Sequence, residues 1–89
     1  MTTTQRYEAA LLGAYTADAA SLGSHWLYDP ARIARLAPTQ PEFHAPSAAD
    51  YDGGAGYFAA AGKRLGDLTH YGAQLDVALR SLVLNGGTW

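Results

Sequence analysis

Two stretches of the chain repeat apolar residues at the spacing of an α-helix. In the first, residues 5–22, one helical face recurs at intervals of three and four residues. The members of that face are Tyr7, Leu11, Tyr15, Asp18 and Leu22. Thr3 or Thr4 is the expected N-cap, and Gly23 is expected to end the helix. The pattern therefore predicts an amphipathic helix with one carboxylate in its apolar face.

The second periodic stretch covers residues 70–84. Its apolar stripe consists of Tyr71, Leu75, Ala78, Leu79 and Leu82. Thr69 precedes it as the expected N-cap, and residues 85–87 are expected to end it. Asp76 and Arg80 are four residues apart, so they can form an ion pair, which we expect on the side opposite the stripe. The pattern predicts a second amphipathic helix.

The segment between these helices has few periodic positions. Asp29 followed by Pro30 is typical of a helix start, and it predicts a short helix over 30–36. Proline then recurs over 37–46, which favours irregular backbone. The glycine-rich stretch that follows allows a helical turn at 57–61. The elements together predict an all-α fold with a long, largely irregular connection.

The composition of the chain limits the size of its hydrophobic core. The chain has 89 residues, and 18 of them are alanine, a side chain that buries little apolar area. Two amphipathic helices cannot cover each other and more than 30 residues of loop. We therefore expect the missing contacts to come from the remaining helices of the same domain or from self-association.

Charge and cysteine content exclude several classes of protein. The formal charge is −2 and the basic residues are scattered, so no nucleic-acid partner is expected. No apolar stretch approaches the roughly 20 residues of a membrane span, so no membrane partner is expected either. The absence of cysteine excludes disulfides and thiolate metal sites. The interpretation is a cytoplasmic protein.

Candidate chemistry lies at three places. Asp18 interrupts an apolar face, where a carboxylate is costly unless it is bound or hydrogen-bonded. It is either a site carboxylate or a residue at the edge of the stripe that bonds nearby backbone. The loop at 24–29 carries His25, Trp26 and Tyr28, which could line a pocket. Alternatively, the two aromatic side chains fill the core and His25 caps the preceding helix.

The third place is the start of the second long helix. Thr69 is explained as an N-cap, but His70 and Tyr71 put a titratable ring and a phenol into the first turn. Free amides at a helix N-terminus can also bind an anion. No P-loop and no HExxH zinc motif is present in the sequence.

These motifs resemble a known family. Residues 10–19, Ala-Leu-Leu-Gly-Ala-Tyr-Thr-Ala-Asp-Ala, and residues 23–29, Gly-Ser-His-Trp-Leu-Tyr-Asp, resemble the start of the ADP-ribosylglycohydrolase superfamily. The His-Trp-x-Tyr-Asp version is similar to the branch that includes the J-type lens crystallins. Residues 66–72, Gly-Asp-Leu-Thr-His-Tyr-Gly, stand where that family begins its metal-binding helix. The resemblance implies that residues 1–89 are the N-terminal part, about a third, of a single multi-helix domain.

The resemblance also implies an activity and a site. Active members hydrolyse the N- or O-glycosidic bond of an ADP-ribosyl group, free or protein-linked, in a cleft that holds magnesium ions. On this basis Asp18, His25, His70 and Tyr71 are expected to bind substrate, and Thr69 to bind magnesium; no catalytic residue is assigned. His70 and Tyr71 stand where the family has aspartate ligands. The alternative is therefore a non-catalytic binding or structural member that has lost the magnesium ligands.

Overall fold

The computed structural model describes residues 1–40 and 43–88. It contains three α-helices and two 3₁₀ segments in that part of the chain. The α-helices are α1 (Thr3–Ser21), α2 (Pro30–Leu36) and α3 (His70–Leu84), and the 3₁₀ segments are Leu22–Ser24 and Ala48–Gly54. The β-structure in the described ranges is one isolated antiparallel bridge between Leu27 and Gly56. The predicted all-α class is confirmed.

The N-terminus of α1 is closed by a capping box. The Thr2 hydroxyl accepts from the Gln5 amide at 3.1 Å, and the Gln5 side chain accepts from the Thr2 amide at 2.8 Å. This reciprocal pair needs a glutamine or glutamate three residues after the cap. Only Thr2 has Gln5 at that distance, so the expected caps, Thr3 and Thr4, are wrong.

The C-terminus of α1 differs from the expected glycine stop. The helix ends at Ser21 and continues as the 3₁₀ segment Leu22–Ser24. Gly23 does not adopt the positive φ of a terminating glycine. It is buried, and a Cβ there would collide with the backbone and ring of His44. Glycine is needed at this position for close approach of another segment, so the predicted role of Gly23 is wrong.

The starts of α2 and α3 confirm the predictions from their caps. The Asp29 carboxylate accepts from two amides in the first turn of α2, at 3.0 and 3.3 Å. The Thr69 hydroxyl accepts from two amides of α3, at 3.2 and 3.4 Å. Both helices also end where predicted, at Leu36 and Leu84. Short side-chain caps followed by a helix-compatible run therefore locate both elements.

A small hydrophobic core joins the connection between α2 and α3 to the loop that precedes α2. Leu27, Tyr51 and Ala55 are buried together, and Tyr51 lies in the 3₁₀ segment Ala48–Gly54. The Tyr51 hydroxyl donates to the His25 carbonyl at 2.7 Å. This hydrogen bond and the packing of Leu27 attach the loop at 24–29 to the core.

The helical turn that the sequence allows at 57–61 does not form. The Tyr28 amide donates to the Ala55 carbonyl at 2.8 Å, and the Tyr57 amide donates to the Trp26 carbonyl at 3.0 Å. The backbone at 55–57 is thereby paired with the loop that follows α1. Pairing with a distant segment replaces the local hydrogen bonds that a helical turn would require.

Helices α1 and α3 pack side by side in opposite directions. Asp18, near the end of α1, contacts Thr69 at the start of α3. Farther along, the Tyr15 hydroxyl donates to Asp76 Oδ1 at 2.9 Å. Asp76 pairs with Arg80 as predicted, at 2.9 Å, but it faces α1 rather than the opposite side. The Tyr15–Asp76 contact therefore crosses between the two helices, and the Asp76–Arg80 pair lies at its exposed edge.

The predicted apolar faces are only partly covered. Leu22 is buried at 2% exposure, whereas Tyr7 at the other end of the same face is 68% exposed. On α3, the stripe members Leu75, Leu79 and Leu82 are partly buried, whereas Val83 and Leu84, which lie outside the predicted stripe, are 80% and 83% exposed. The two helices cover each other near the Asp18 end, and their far ends present apolar side chains to solvent.

The overall dimensions agree with this incomplete coverage. The molecule measures 47 × 28 × 18 Å, with a radius of gyration of 15.7 Å. A compact chain of this length is expected to have a radius of gyration of about 12 Å. The accessible surface is 6162 Å², against about 5,000 Å² for a compact protein of this mass. The helices form an extended layer with open apolar faces.

Among the described residues, none of the helices combines the length and the apolar character needed to cross a bilayer.

Candidate functional site

A carboxylate and a threonine join the two long helices at one end of the molecule. Thr69 donates to Asp18 twice: its amide to Oδ2 at 2.8 Å and its hydroxyl to Oδ1 at 2.6 Å. Thr69 is 1% exposed. The carboxylate in the apolar face is therefore satisfied by hydrogen bonds, although the backbone it bonds lies on another helix. Its predicted role in substrate binding stays a prediction.

Glycine at position 72 makes room for this contact. A Cβ on Gly72 would collide with Asp18 Oδ2. The Gly72 amide also donates to the Thr69 hydroxyl, as does the Tyr71 amide. The amides of Thr69, Tyr71 and Gly72 are thus used inside the protein. This occupancy argues against the anion site expected at the start of α3.

Four aromatic rings meet above this helix start. The His25 ring stacks on Trp26, with centroids 5.0 Å apart and planes 20° apart. It also meets His70 edge-on at 4.8 Å and Tyr71 at 5.4 Å. Trp26 itself lies 4.8 Å from His70. The structure therefore brings the predicted residues His25, His70 and Tyr71 together, directly beside the Asp18–Thr69 contact.

Trp26 reaches this cluster through an unusual backbone conformation. Its φ is +59°, in the left-handed region that a bulky residue rarely adopts. Hydrogen bonds hold it on both sides: the Leu27 amide donates to the Ser24 carbonyl, and the Tyr57 amide donates to the Trp26 carbonyl, both at 3.0 Å. Such conformations cost about 1–3 kcal/mol and concentrate at functional sites. The loop thus holds the indole against His70 at an energetic cost.

Tyr57 is a member of the cluster that the sequence interpretation did not include. Its ring lies 5.5 Å from Trp26 and is 65% exposed. Tyr71, on the other side of the cluster, is 55% exposed. A Cβ at the preceding Gly56 would collide with the Trp26 carbonyl oxygen, a contact between distant segments that the sequence does not reveal. We use the term aromatic cluster below for His25, Trp26, Tyr57, His70 and Tyr71.

The Tyr28 side chain lies apart from those of His25 and Trp26. It is 71% exposed and lies outside the aromatic cluster, so it neither fills the core nor lines the candidate site. Trp26 is half-buried within the cluster rather than enclosed in the core. The expectation that both aromatic side chains fill the core is therefore wrong.

The electrostatics of the cluster favour neutral His25. Burial lowers the pKa of His25, the nearby His70 lowers it further, and Asp18 acts in the opposite direction. The Nε2 atom of His25 is buried without a hydrogen-bond partner among the described residues. A neutral imidazole can donate from one nitrogen and accept at the other. The buried Nε2 atom would therefore bond only a polar group that entered the cluster.

The donor set around Thr69 does not fit a magnesium ion. The Thr69 hydroxyl gives its proton to Asp18 and accepts from two amides, so its lone pairs are already engaged. The adjacent His70 and Tyr71 carry an imidazole and a phenol, which suit magnesium poorly. In the described part of the chain, His, Asp and Glu side chains do not gather in a group of three or more suited to a metal. We derive no chemical step through magnesium.

Comparison with known proteins found no relative of this chain. No protein-family model, curated protein or solved structure matches the chain.

Proposed function

We propose that this chain forms the N-terminal part of an ADP-ribosylglycohydrolase-like all-α domain, which hydrolyses an ADP-ribosyl N- or O-glycosidic bond in the full-length protein. The observation that carries the proposal is the meeting of His25, His70 and Tyr71 at the start of α3. These residues come from two separate stretches of sequence. Aromatic and imidazole groups at one site suit a ligand that combines planar rings with sugar hydroxyls.

The supporting contacts suggest a division of roles within this site. Asp18 holds Thr69, and Thr69 in turn caps α3, so the pair fixes the first turn that carries His70 and Tyr71. The imidazole and phenol groups can then donate to, or accept from, ribose and phosphate oxygens. Asp18 would act on the ligand through its control of that turn. The ligand would be free or protein-linked ADP-ribose.

The open helix faces support the placement in a larger domain. A helical layer with one apolar face buried requires a second layer to cover the other. Val83 and Leu84 on α3 and Tyr7 on α1 remain exposed among the described residues. The remaining helices of the same domain would cover these positions. Self-association of the layer would cover them as well.

The test is release of ADP-ribose by the full-length protein. ADP-ribosylated peptides with N- and O-linked acceptors are incubated with the protein, with magnesium and with a chelator, and free ADP-ribose is measured by chromatography. We expect release that falls at least tenfold in His70→Ala. Tyr28→Ala is the matched control, because Tyr28 is an exposed aromatic residue outside the cluster. Absence of release under both conditions would remove the hydrolase proposal.

A second candidate function is ligand binding without hydrolysis, as in a crystallin-like member of the branch. The observation that favours it is the engaged Thr69 hydroxyl, together with an imidazole and a phenol in the next two positions. In this case ADP-ribose binds with the same affinity in the presence and absence of magnesium, and no product forms. Calorimetry on the full-length protein distinguishes the two functions. Binding that requires magnesium would contradict the second candidate.

A further inference from the structure

Tyr57 combines an exposed ring with a fixed backbone. The side chain is 65% exposed, yet its amide donates to the Trp26 carbonyl at 3.0 Å. The neighbouring residue, Gly56, forms the antiparallel bridge with Leu27. A single exposed aromatic residue in a mobile loop needs no explanation. Here the backbone that leads to the ring is paired with the loop that follows α1.

The local sequence allows little freedom in this arrangement. A Cβ at position 56 would meet the Trp26 carbonyl oxygen, so only glycine permits the approach. Trp26 adopts a left-handed conformation at the same point, with φ at +59°. Two unusual backbone requirements therefore coincide to place the Tyr57 ring 5.5 Å from the indole. Strain of this kind persists where surrounding contacts impose it, and it is frequent at ligand sites.

The result is an open aromatic surface with a half-buried centre. Trp26 lies between Tyr57 at 5.5 Å and Tyr71 at 6.4 Å, and both phenols are more than half exposed. Exposed aromatic faces on a rigid backbone are suited to stacking with a planar ring. The amides at the start of α3 are largely engaged by Asp18 and Thr69. Recognition at this surface is thus better supplied by ring stacking than by phosphate binding.

We propose that Tyr57 is a specificity-determining residue that stacks on the purine ring of the ligand. This inference rests on the proposed function, because it assigns the contact that would recognise the nucleobase of an ADP-ribosyl group. The phenol hydroxyl is not required, since the contact uses the face of the ring. Tyr57 then separates ligands with a purine from ligands that carry only ribose and phosphate.

The test compares three probes on the full-length protein by calorimetry: ADP-ribose, adenosine and ribose 5-phosphate. Tyr57→Ala removes the ring, and Tyr57→Phe keeps it. Tyr28→Ala is the matched control, because Tyr28 is equally exposed and its backbone takes part in the same pairing, but its ring lies outside the aromatic cluster. Should Tyr57→Ala lower the melting temperature, Tyr57→Leu keeps apolar bulk without an aromatic face.

We expect Tyr57→Ala to weaken ADP-ribose and adenosine by roughly tenfold or more, the usual effect of losing one stacked ring. The affinity of Tyr57→Ala for ribose 5-phosphate should not change. Tyr57→Phe and Tyr28→Ala should bind all three probes as the unmodified protein does. Unchanged adenosine affinity in Tyr57→Ala, or an equal loss in Tyr28→Ala, overturns the inference.

The same experiment separates this inference from the proposed function. Binding of adenosine that depends on Tyr57, without binding or hydrolysis of ADP-ribosyl compounds, removes the proposed function and supports the stacking role. Binding of ADP-ribose that is indifferent to Tyr57 removes the stacking role alone. Failure of the protein to bind either adenosine or ADP-ribose removes both.

Discussion

Asp18 and Thr69 are joined by two hydrogen bonds although 51 positions separate them in the sequence. One bond goes to the backbone amide and the other to the side-chain hydroxyl, so the carboxylate fixes both the position and the rotamer of the α3 cap. Thr69 is buried at 1% exposure, and water cannot replace a lost partner easily. The contact therefore links the packing of α1 to the start of α3 and to the aromatic cluster above it.

Removal of this carboxylate should destabilise the protein. Hydrogen bonds to charged groups contribute about 1.5–3 kcal/mol each, and the higher helix propensity of alanine offsets part of the loss of two, so we expect Asp18→Ala to lower the free energy of unfolding by about 2–5 kcal/mol. Urea denaturation followed by circular dichroism measures the change. Glu8→Gln on the exposed part of the same helix is the control and should be neutral within 0.5 kcal/mol or so. Equal stability of Asp18→Ala and Glu8→Gln would contradict the assigned role.

Two helical glycines should respond to alanine in opposite directions. A Cβ at Gly72 collides with Asp18, whereas a Cβ at Gly13 has nothing within 4 Å. Gly13→Ala should stabilise the protein by about 0.5–1 kcal/mol, because alanine favours helix. Gly72→Ala should destabilise it by about 1–3 kcal/mol despite the same gain in propensity. Thermal unfolding of the two variants measures the difference, and a stabilising Gly72→Ala would show that the close approach is absent.

The Tyr15–Asp76–Arg80 contact should make stability fall in acid. Arg80 and then Tyr15 lower the pKa of Asp76 by hydrogen bonding to its carboxylate. A lowered folded-state pKa means that the stabilisation is present above the unfolded pKa and is lost as the pH falls through the folded value. We expect Tyr15→Phe to raise the pKa of Asp76, measured by NMR titration of its side chain. An unchanged pKa in Tyr15→Phe would contradict the contact.

His25 should contribute a separate dependence nearer neutral pH. Burial, together with His70, lowers its pKa below the ordinary value for histidine. The unfolded chain then binds the proton more readily, so stability is fully present above about pH 6.5 and decreases as the pH falls through the lowered folded value. Urea midpoints at pH 5 and pH 8 should differ less in His25→Gln than in the unmodified protein. An equal difference in both proteins would assign the dependence to another group.

Local signals in the sequence located the helices better than the contacts between them. Asp29 and Thr69 predicted the starts of α2 and α3 because a cap bonds amides only two or three residues away. The role of Gly23 could not be predicted in the same way, since it depends on His44, which lies 21 positions later and meets it only in the folded chain.

The candidate site was predictable to a similar extent. His70 and Tyr71 stood out because a cap alone does not explain them, and Asp18 stood out as a carboxylate in an apolar face. Tyr57 did not, because it lies in a glycine- and alanine-rich stretch for which the sequence allowed a helical turn at 57–61. Its position follows from pairing with the Trp26 loop, a nonlocal contact that no periodic pattern in the sequence predicts.

The distance in sequence between Asp18 and Thr69 also bears on the order of folding. Helix formation within one segment takes about a microsecond or less, whereas contacts between distant segments must first close a long loop. The Thr69 amide and hydroxyl stay without their carboxylate partner until that closure occurs. The Trp26 ring meets His70 through the same closure, so in Trp89→Phe, which leaves Trp26 as the single indole, the fluorescence emission should report this closure rather than the formation of the helices.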